Sequence, residues 1–281
     1  MSKLFDRALK RYIAGPEHPA KYRLVRWLGW HVMPRKGIVG TVYPETRLWL
    51  NPVDWVEYLL LRNGRYEPLT IDFLTANLRP ADTAILAGVN NGLHAIVAAR
   101  AVGAAGRVIG CEPQPAALLR ARQNIALNGL QEDSLSLVAI ALGSETGLAR
   151  MPWPPPDNPG AASFFDGGAG FMAPVVTLAE MARQLELGPV RLLLLDVQGY
   201  ELQAIEGLGA ALRPDIAIVE DDPDYSTKAG VPREVLYRRL EEMGFALHDV
   251  HGEPIRLPGK LPPERNLIGV QPGREVNWIP R

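Results

Sequence analysis

A glycine turn, with an acid at a fixed distance after it, is the first feature that could do chemistry. The apolar run TAILAG ends at Gly88 and leads through GVNNG, which ends at Gly92, into a predicted helix. Glycine permits a tight turn and the close approach of a ligand to the backbone. Glu112 follows Gly88 by 24 residues, at the end of the next predicted strand, where a carboxylate can accept hydrogen bonds from both hydroxyls of a ribose. The spacing predicts a site for a ribose-bearing ligand, and alone it does not separate NAD from S-adenosylmethionine.

Carboxyl groups follow two later apolar runs and could act as acids, bases or metal ligands. Asp196 ends the run RLLLLD, and Glu220 begins an acidic cluster that extends to Asp224. Burial at the end of a strand would raise the pKa of Asp196, which suits a general base. The alternative is that Asp196 caps the helix that follows it. The cluster could hold Mg²⁺ together with Asp196, but solvated loop acids are more common, and we expect no metal here. His94, in the helix after the glycine turn, could face a bound cofactor or substrate, but we expect it to lie on the surface of that helix.

Short apolar runs alternate with helical stretches from residue 84 onward. The fold that this order specifies must position the glycine turn and the acids described above. Fully apolar strands such as RLLLLD indicate a parallel sheet that is covered on both faces. A Gly/Pro-rich link before the last strand permits that strand to run antiparallel. We therefore expect an α/β fold with a seven-stranded, Rossmann-like, mostly parallel sheet. The predicted strands are 84–88, 107–112, 135–141, 191–196, 215–220, 245–250 and 266–271, and the predicted helices are 54–62, 66–78, 92–102, 114–127, 178–187, 199–212 and 232–243.

Two further regions flank or interrupt this pattern. Residues 1–79 are predicted to form an N-terminal extension with a basic helix, a hairpin over 38–50 and a helical part, and residues 80–281 the ligand-binding domain. Residues 152–170 are rich in proline and glycine and have no periodicity. A loop of this length in a compact α/β domain is typical of a lid or a substrate loop.

Composition excludes several classes of protein. The 281 residues are 47% hydrophobic and 22% charged, as in an ordinary globular domain. No apolar run approaches the length of about 18 residues that crosses a bilayer, and the N-terminus does not resemble a secretory signal. A single cysteine, Cys111, excludes a disulfide. We expect a cytoplasmic protein.

The charge is unevenly distributed along the chain. Residues 1–40 carry nine Lys or Arg and two acids, a net charge of +7, whereas the remainder carries 21 basic and 29 acidic residues, a net charge of −8. Trp27 and Trp30 lie among the basic residues. The pattern favours a helix that packs on its own domain or on a second subunit of a homo-oligomer, and its alternative is a peripheral contact with a membrane surface. An acidic remainder argues against nucleic acid as a partner.

The ordered run of motifs resembles one known family. The motifs GVNNG, GRVIGCEPQP, RQNIALNGL, VAIALGSETG, VVTLAEM, RLLLLDVQGYELQAIEGL and PDIAIVED, together with GRYEP before them, are similar to the FkbM family of S-adenosylmethionine-dependent methyltransferases over residues 38–271. The resemblance implies the seven-stranded methyltransferase fold, S-adenosylmethionine as cofactor, and O-methylation of a hydroxyl on a sugar, polysaccharide or secondary metabolite. The implied partner is a small-molecule or glycan acceptor.

The resemblance also implies roles for particular residues. The turn would contact the methionine part of the cofactor, the acid after the second strand would hold its ribose, the end of the third strand would frame its adenine, and two later acids would lie near the transferred methyl. The implied cofactor-binding residues are Gly88, Asn90, Gly92, Glu112, Pro113, Ala141 and Leu142, and the implied catalytic residues are Asp196 and Glu220.

The sequence departs from the family pattern at three positions. The acid of the family's DVGAN motif is replaced by Leu86, and the family's KIDVEG reads LLDVQG, with Leu194 for lysine and Gln198 for glutamate. The last two changes cancel in charge and suggest a lost ion pair. Loss of the acid would weaken cofactor binding by about 10- to 100-fold. The alternative function is therefore a degenerate methyltransferase fold with a binding or assembly role, and an NAD-linked oxidoreductase is disfavoured.

Overall fold

A computed structural model describes residues 3–33, 36–130, 134–155, 158–209, 212–257, 259, 261 and 266–281. Its helices are α1 (Lys3–Ala14), α2 (Lys21–His31), α3 (Trp55–Asn63), α4 (Pro68–Asn77), α5 (Leu93–Val102), α6 (Pro115–Leu127), α7 (Leu178–Gln184), α8 (Glu201–Glu206), α9 (Pro223–Ala229) and α10 (Arg233–Glu242). Its strands are β1 (Ile38–Val42), β2 (Thr46–Leu50), β3 (Thr83–Ala87), β4 (Arg107–Cys111), β5 (Leu135–Val138), β6 (Ala141–Leu142), β7 (Gly147–Pro152), β8 (Gly170–Val176), β9 (Leu192–Leu195), β10 (Ile216–Glu220), β11 (Ala246–His248) and β12 (Asn266–Val270).

The main sheet has seven strands in the order β11-β12-β10-β9-β3-β4-β5. The five strands from β10 to β5 are parallel, and β12 is antiparallel to both of its neighbours. The predicted fold class, a mostly parallel sheet with an antiparallel last strand, is therefore confirmed. The order places the end of β3 between the ends of β4 and β9, which brings the glycine turn, Glu112 and Asp196 to one edge of the sheet.

The leucines of β9 show why the sheet is covered on both faces. All four are buried, and they alternate between two hydrophobic clusters. Leu192 and Leu194 pack with α4, α5 and the N-terminal hairpin, and Leu193 and Leu195 pack with α7, α8 and α10. Successive side chains of a strand point to opposite faces, so an uninterrupted apolar run requires a layer of helices on each side.

A small second sheet, in the order β6-β8-β7, departs from the predicted strands. The predicted strand over 135–141 divides into β5, which pairs with β4, and β6, which pairs with β8. The unpredicted strands β7 and β8 pair from Gly147 with Val175 to Pro152 with Gly170. The 152–170 segment is thus the loop of a hairpin. The first four residues of β7 are mostly exposed, so this strand lacks an alternation of buried and exposed side chains.

Asparagine side chains of α6 join the predicted N-terminal hairpin (β1 and β2) to the ligand-binding domain. Asn124 accepts a hydrogen bond from the N–H of Trp49 at 2.7 Å and donates one to the carbonyl of Asn91 in the glycine turn at 2.8 Å. Asn128 donates to the carbonyl of Arg47 at 2.7 Å. Because Asn124 is fully buried, one side chain fixes both the hairpin and the turn. None of the described helices is long and apolar enough to cross a membrane.

Candidate functional site

A cavity of about 530 Å³ lies at the carboxyl ends of β3, β4, β9 and β10. Its volume is in the usual range for small-molecule sites, and its place at the ends of parallel strands is where such sheets bind ligands. All of the predicted site residues except Gly92 line it. Those residues are Gly88, Asn90, Glu112, Pro113, Ala141, Leu142, Asp196 and Glu220.

The two glycines of the turn serve different purposes. Gly88 has a φ of +82°, and a Cβ there would lie 1.8 Å from the carbonyl oxygen of Asp196, so only glycine lets β3 and the loop after β9 meet. Gly92 has a φ of +90°, and a Cβ there would lie 3.2 Å from the Cα of Ala121. Gly92 therefore permits α5 to pack on α6; it does not line the cavity, and its implied contact with a cofactor stays a prediction.

Glu112 presents a buried carboxylate to the cavity. Its Oε2 accepts a hydrogen bond from the N–H of Asn90 at 3.0 Å, and its Oε1 accepts one from the N–H of Gln114 at 2.9 Å. Burial raises the pKa of Glu112, while these backbone N–H groups act in the opposite direction. A carboxylate has about four lone-pair positions, so capacity remains for hydroxyl donors from the cavity. The group is held in place and fits the ribose of the implied cofactor.

Gln198 connects the two carboxyl groups that are the implied catalytic pair. Its Nε2 donates to Oδ1 of Asp196 at 2.6 Å and to Oε2 of Glu220 at 2.9 Å. Burial raises the pKa of Asp196, and burial together with the charge of Asp196 raises the pKa of Glu220 well above its usual value. Two buried carboxyl groups this close do not both ionise readily. Burial and their mutual charge therefore favour a protonated carboxyl group on Glu220 beside Asp196.

The helix after Asp196, α8, has no side-chain cap, and the turn before it is held by another acid. Oε1 of Glu201 accepts hydrogen bonds from the N–H of Val197 at 2.9 Å and of Gly199 at 3.2 Å. Burial raises the pKa of Glu201 to about 7. Because Glu201 holds this turn, the carboxyl group of Asp196 points into the cavity.

Three residues at the methyl end of the cavity were not predicted as site residues. Tyr66 and His94 line the cavity, and the charge of Glu67 contributes to the raised pKa of Asp196. The Nε2 of His94 lies 3.6 Å from Oε2 of Glu67 and has no hydrogen-bond partner among the described residues. The side chain of His94 is only 13% exposed, so its predicted place on a helix surface is wrong. Burial lowers its pKa, which keeps the ring neutral. The GRYEP motif, which contains Tyr66 and Glu67, was the available signal.

The loop between β7 and β8 covers part of the cavity. Phe164 contacts Tyr200 with ring centroids 4.6 Å apart, and Asp166 forms an ion pair with Lys228 of α9 at 2.9 Å. Nε2 of Gln114 donates to the carbonyl of Pro152 at 3.2 Å and holds the start of the loop. Residues 156 and 157 lie outside the described part of the chain. The contacts agree with the predicted lid or substrate loop, a role that stays a prediction.

The acids that follow β10 do not converge. Asp221 forms an ion pair with Arg233 and accepts a hydrogen bond from Tyr237, and Asp222 caps α9 through the N–H of Asp224 at 2.8 Å. Within the described ranges, no group of three or more His, Cys, Asp or Glu side chains could hold a metal ion.

Comparison with known proteins decides the family. The family described as "Methyltransferase FkbM domain" matches residues 87–247, which is more than half of the chain and includes Gly88, Glu112, Asp196 and Glu220. The chain belongs to this family. The resemblance is thereby confirmed, and membership supports S-adenosylmethionine as the methyl donor. No curated protein matches the sequence.

Several solved methyltransferase structures are similar at low identity. They are a SAM-dependent O-methyltransferase from Thermotoga maritima (15% identity, 76% of this chain and 68% of that chain covered, TM-score 0.44), an O-methyltransferase from Bacillus cereus in complex with SAH (12%, 95% and 97%, 0.43) and the O-methyltransferase TomG from Streptomyces achromogenes, involved in tomaymycin synthesis, in complex with SAM (13%, 74% and 81%, 0.45). Similarity at this level does not indicate a substrate.

The three positions that depart from the family pattern are grouped differently in the structure than along the sequence. Leu86 of β3 lies opposite Leu194 of β9, and both side chains are buried in the same hydrophobic cluster. An acid at 86 and a lysine at 194 would therefore be cross-strand neighbours in this chain. Gln198 belongs instead to the pair of Asp196 and Glu220.

Proposed function

We propose that this protein is an S-adenosylmethionine-dependent O-methyltransferase that acts on a hydroxyl of a sugar, polysaccharide or secondary metabolite. The observation that carries the proposal is one cavity that is lined both by the buried carboxyl group of Glu112 and by the neighbouring carboxyl groups of Asp196 and Glu220. Family membership supports the reaction class, and the acceptor class rests on the family resemblance.

The cofactor end of the cavity is built from groups that suit each part of S-adenosylmethionine. When bound, this cofactor supplies a methyl group on a positively charged sulfur. Glu112 would accept the ribose hydroxyls, and the buried apolar residues Ala141 and Leu142 of β6 would pack against the adenine. Gly88 lines the cavity and lets the turn pack against the loop after β9. The acid that the family uses beside this turn is Leu86 here, so the methionine end would be held less tightly.

The other end of the cavity can accept a proton from a hydroxyl. The raised pKa of Asp196 makes it a stronger base than an ordinary aspartate. Gln198 donates a hydrogen bond to its Oδ1 at 2.6 Å, which orients the carboxylate. In our proposal Asp196 takes the acceptor proton, while the free Nε2 of His94 provides a further hydrogen-bonding position for the acceptor. Phe164 and Tyr200 would exclude water from this end.

Titration calorimetry with S-adenosylmethionine and with S-adenosylhomocysteine tests the proposal directly. We expect saturable binding of both ligands, with one site per chain, and no comparable binding of NAD. The same protein, incubated with methyl-labelled cofactor and a panel of hydroxylated glycans and natural products, should transfer label to an oxygen. Absence of heat at millimolar ligand would refute the enzyme and favour the degenerate binding protein. Label on nitrogen or carbon would refute the proposed transfer to oxygen but not the methyltransferase activity.

A further inference from the structure

The outer face of α2 is an exposed aromatic and basic surface that the methyl-transfer site does not use. One side of α2 is buried against the domain by Lys21, Val25 and Gly29. At about 100° per residue, the exposed side chains fall on one arc of roughly 120°. In order around that arc they are Trp30, Arg23, Trp27, His31 and Leu24.

The exposure of this arc is large for residues of these types. Trp27 is 54% exposed, Trp30 is 56% exposed and Leu24 is 45% exposed. Adjacent exposed apolar side chains with basic residues among them mark an interaction surface. α2 itself contains no acid. Glu17, which precedes it, is held by Arg62 at 2.6 Å.

The distribution of charge along the chain indicates which kind of partner binds this surface of α2. Residues 1–40 carry a net charge of +7 and the remainder of the chain −8, so an anionic surface attracts this arm and repels the rest. Tryptophan and leucine with arginine on the exposed side of a helix are the composition of helices that bind the interface of an anionic bilayer. A second copy that docked arm to arm would bring together two segments of net charge +7, which like charges oppose.

We propose that the arc defined by Arg23, Leu24, Trp27, Trp30 and His31 docks the protein on an anionic lipid surface. In this proposal tryptophan and leucine enter the interfacial region, and Arg23 contacts lipid phosphates. This inference is independent of the methyl-transfer proposal, since none of these five residues lines the cavity.

Co-sedimentation of the full chain with lipid vesicles tests the inference. The probes are vesicles of equimolar phosphatidylglycerol and phosphatidylcholine, and vesicles of phosphatidylcholine alone. We expect binding to the first kind only, and weaker binding in high salt because screening shortens the range of the attraction. The double variant Trp27→Ser/Trp30→Ser should bind at least about tenfold more weakly, and Arg23→Glu roughly 30-fold more weakly.

Trp153→Ser is the matched control, because Trp153 is also 56% exposed but lies outside the arm. Its vesicle binding should equal that of the unsubstituted protein. Thermal unfolding of each variant checks that the fold is kept. The inference is overturned if anionic vesicles bind no protein, or if the double tryptophan variant binds them as well as the control. A third outcome would also overturn it: light scattering shows that the unsubstituted protein is a dimer, the double variant is a monomer, and neither protein binds vesicles.

Discussion

Replacing Glu112 with glutamine separates a ligand-binding role from a structural one. Both carboxylate oxygens of Glu112 accept a backbone hydrogen bond, at 2.9 and 3.0 Å. A glutamine has one acceptor oxygen and an NH₂ group in place of the other, so at least one hydrogen bond from a ribose hydroxyl to a charged acceptor is lost. Such a bond contributes about 1.5–3 kcal/mol. The Kd for S-adenosylmethionine should therefore rise roughly 10- to 150-fold.

The same substitution also disturbs the protein, because the new NH₂ group faces a backbone N–H. Glu201→Gln is the matched control for that effect. Glu201 is as buried as Glu112, each being 6% exposed, and its carboxylate likewise accepts two backbone hydrogen bonds. Glu201 does not line the cavity, but the turn that it holds contains Val197 and Gln198, which do. The control is therefore stringent, because it disturbs a turn beside the cavity without removing a group that lines it.

Calorimetric titration of both variants, with urea denaturation beside it, gives the result. We expect Glu112→Gln to lose affinity by the stated factor and Glu201→Gln to stay within about twofold of the unsubstituted protein. Unchanged affinity in Glu112→Gln would refute the ribose-binding role. An equal loss in both variants would show that the effect arises from the disturbed turns.

Further predictions concern catalysis, stability and the altered motif. Asp196→Asn should abolish methyl transfer to an identified acceptor and leave cofactor Kd within a few fold by calorimetry; full activity would exclude Asp196 as the base. Asn124→Leu leaves the N–H of Trp49 and the carbonyl of Asn91 without their partner. The free energy of unfolding, measured by urea denaturation, should fall by about 2–5 kcal/mol. A loss below about 1 kcal/mol would contradict the joining role of Asn124. Because burial raises the pKa of Glu201 from 4.5 to about 7, the folded state holds this proton more tightly than the unfolded state does. Stability from this group is therefore full below pH 4.5 and declines as pH rises to 7, by at most about 3 kcal/mol; Glu201→Gln should remove that part of the slope, and an unchanged pH profile would refute the shift. Leu86→Asp should destabilise the protein by about 3–5 kcal/mol, and Leu194→Lys in the same chain should recover part of that loss in a double-mutant cycle, whereas purely additive losses would show that the two positions are not coupled.

The sequence was sufficient where local pattern and chain order decide the structure. Uninterrupted apolar runs identified the parallel strands, and the end of each strand located Glu112, Asp196 and Glu220. It was insufficient where residues meet only through packing. Glu67 reaches the carboxyl pair from the start of α4, in the N-terminal extension, and no spacing within the sheet motifs predicts that contact. Gly92 shows a further limit, because a helix-packing glycine and a ligand-contacting glycine have the same sequence signature.

The small sheet was missed for a different physical reason. Strand prediction depends on alternation between a buried and an exposed face, and β7 has four residues at its start that are mostly exposed. Its pairing with β8 spans the 152–170 loop, so the pattern that defines it is a contact between distant segments. The loop itself was recognised correctly because proline and glycine act locally.

The positions of the departures argue that the cavity is maintained rather than decaying. Leu86 and Leu194 replace an acid and a base that would be cross-strand neighbours, and exchanging a buried ion pair for two packed hydrophobic residues is often neutral or stabilising. A change at only one of these positions would leave a buried charge unpaired. Gln198 supplies hydrogen bonds to two carboxyl groups whose burial costs stability, as their raised pKa values show. A chain that had lost its reaction would gain stability by losing Asp196 or Glu220, yet both remain, held by a side chain that fits them. Coordinated change in the core, with costly acids retained in the cavity, is what continued catalysis requires.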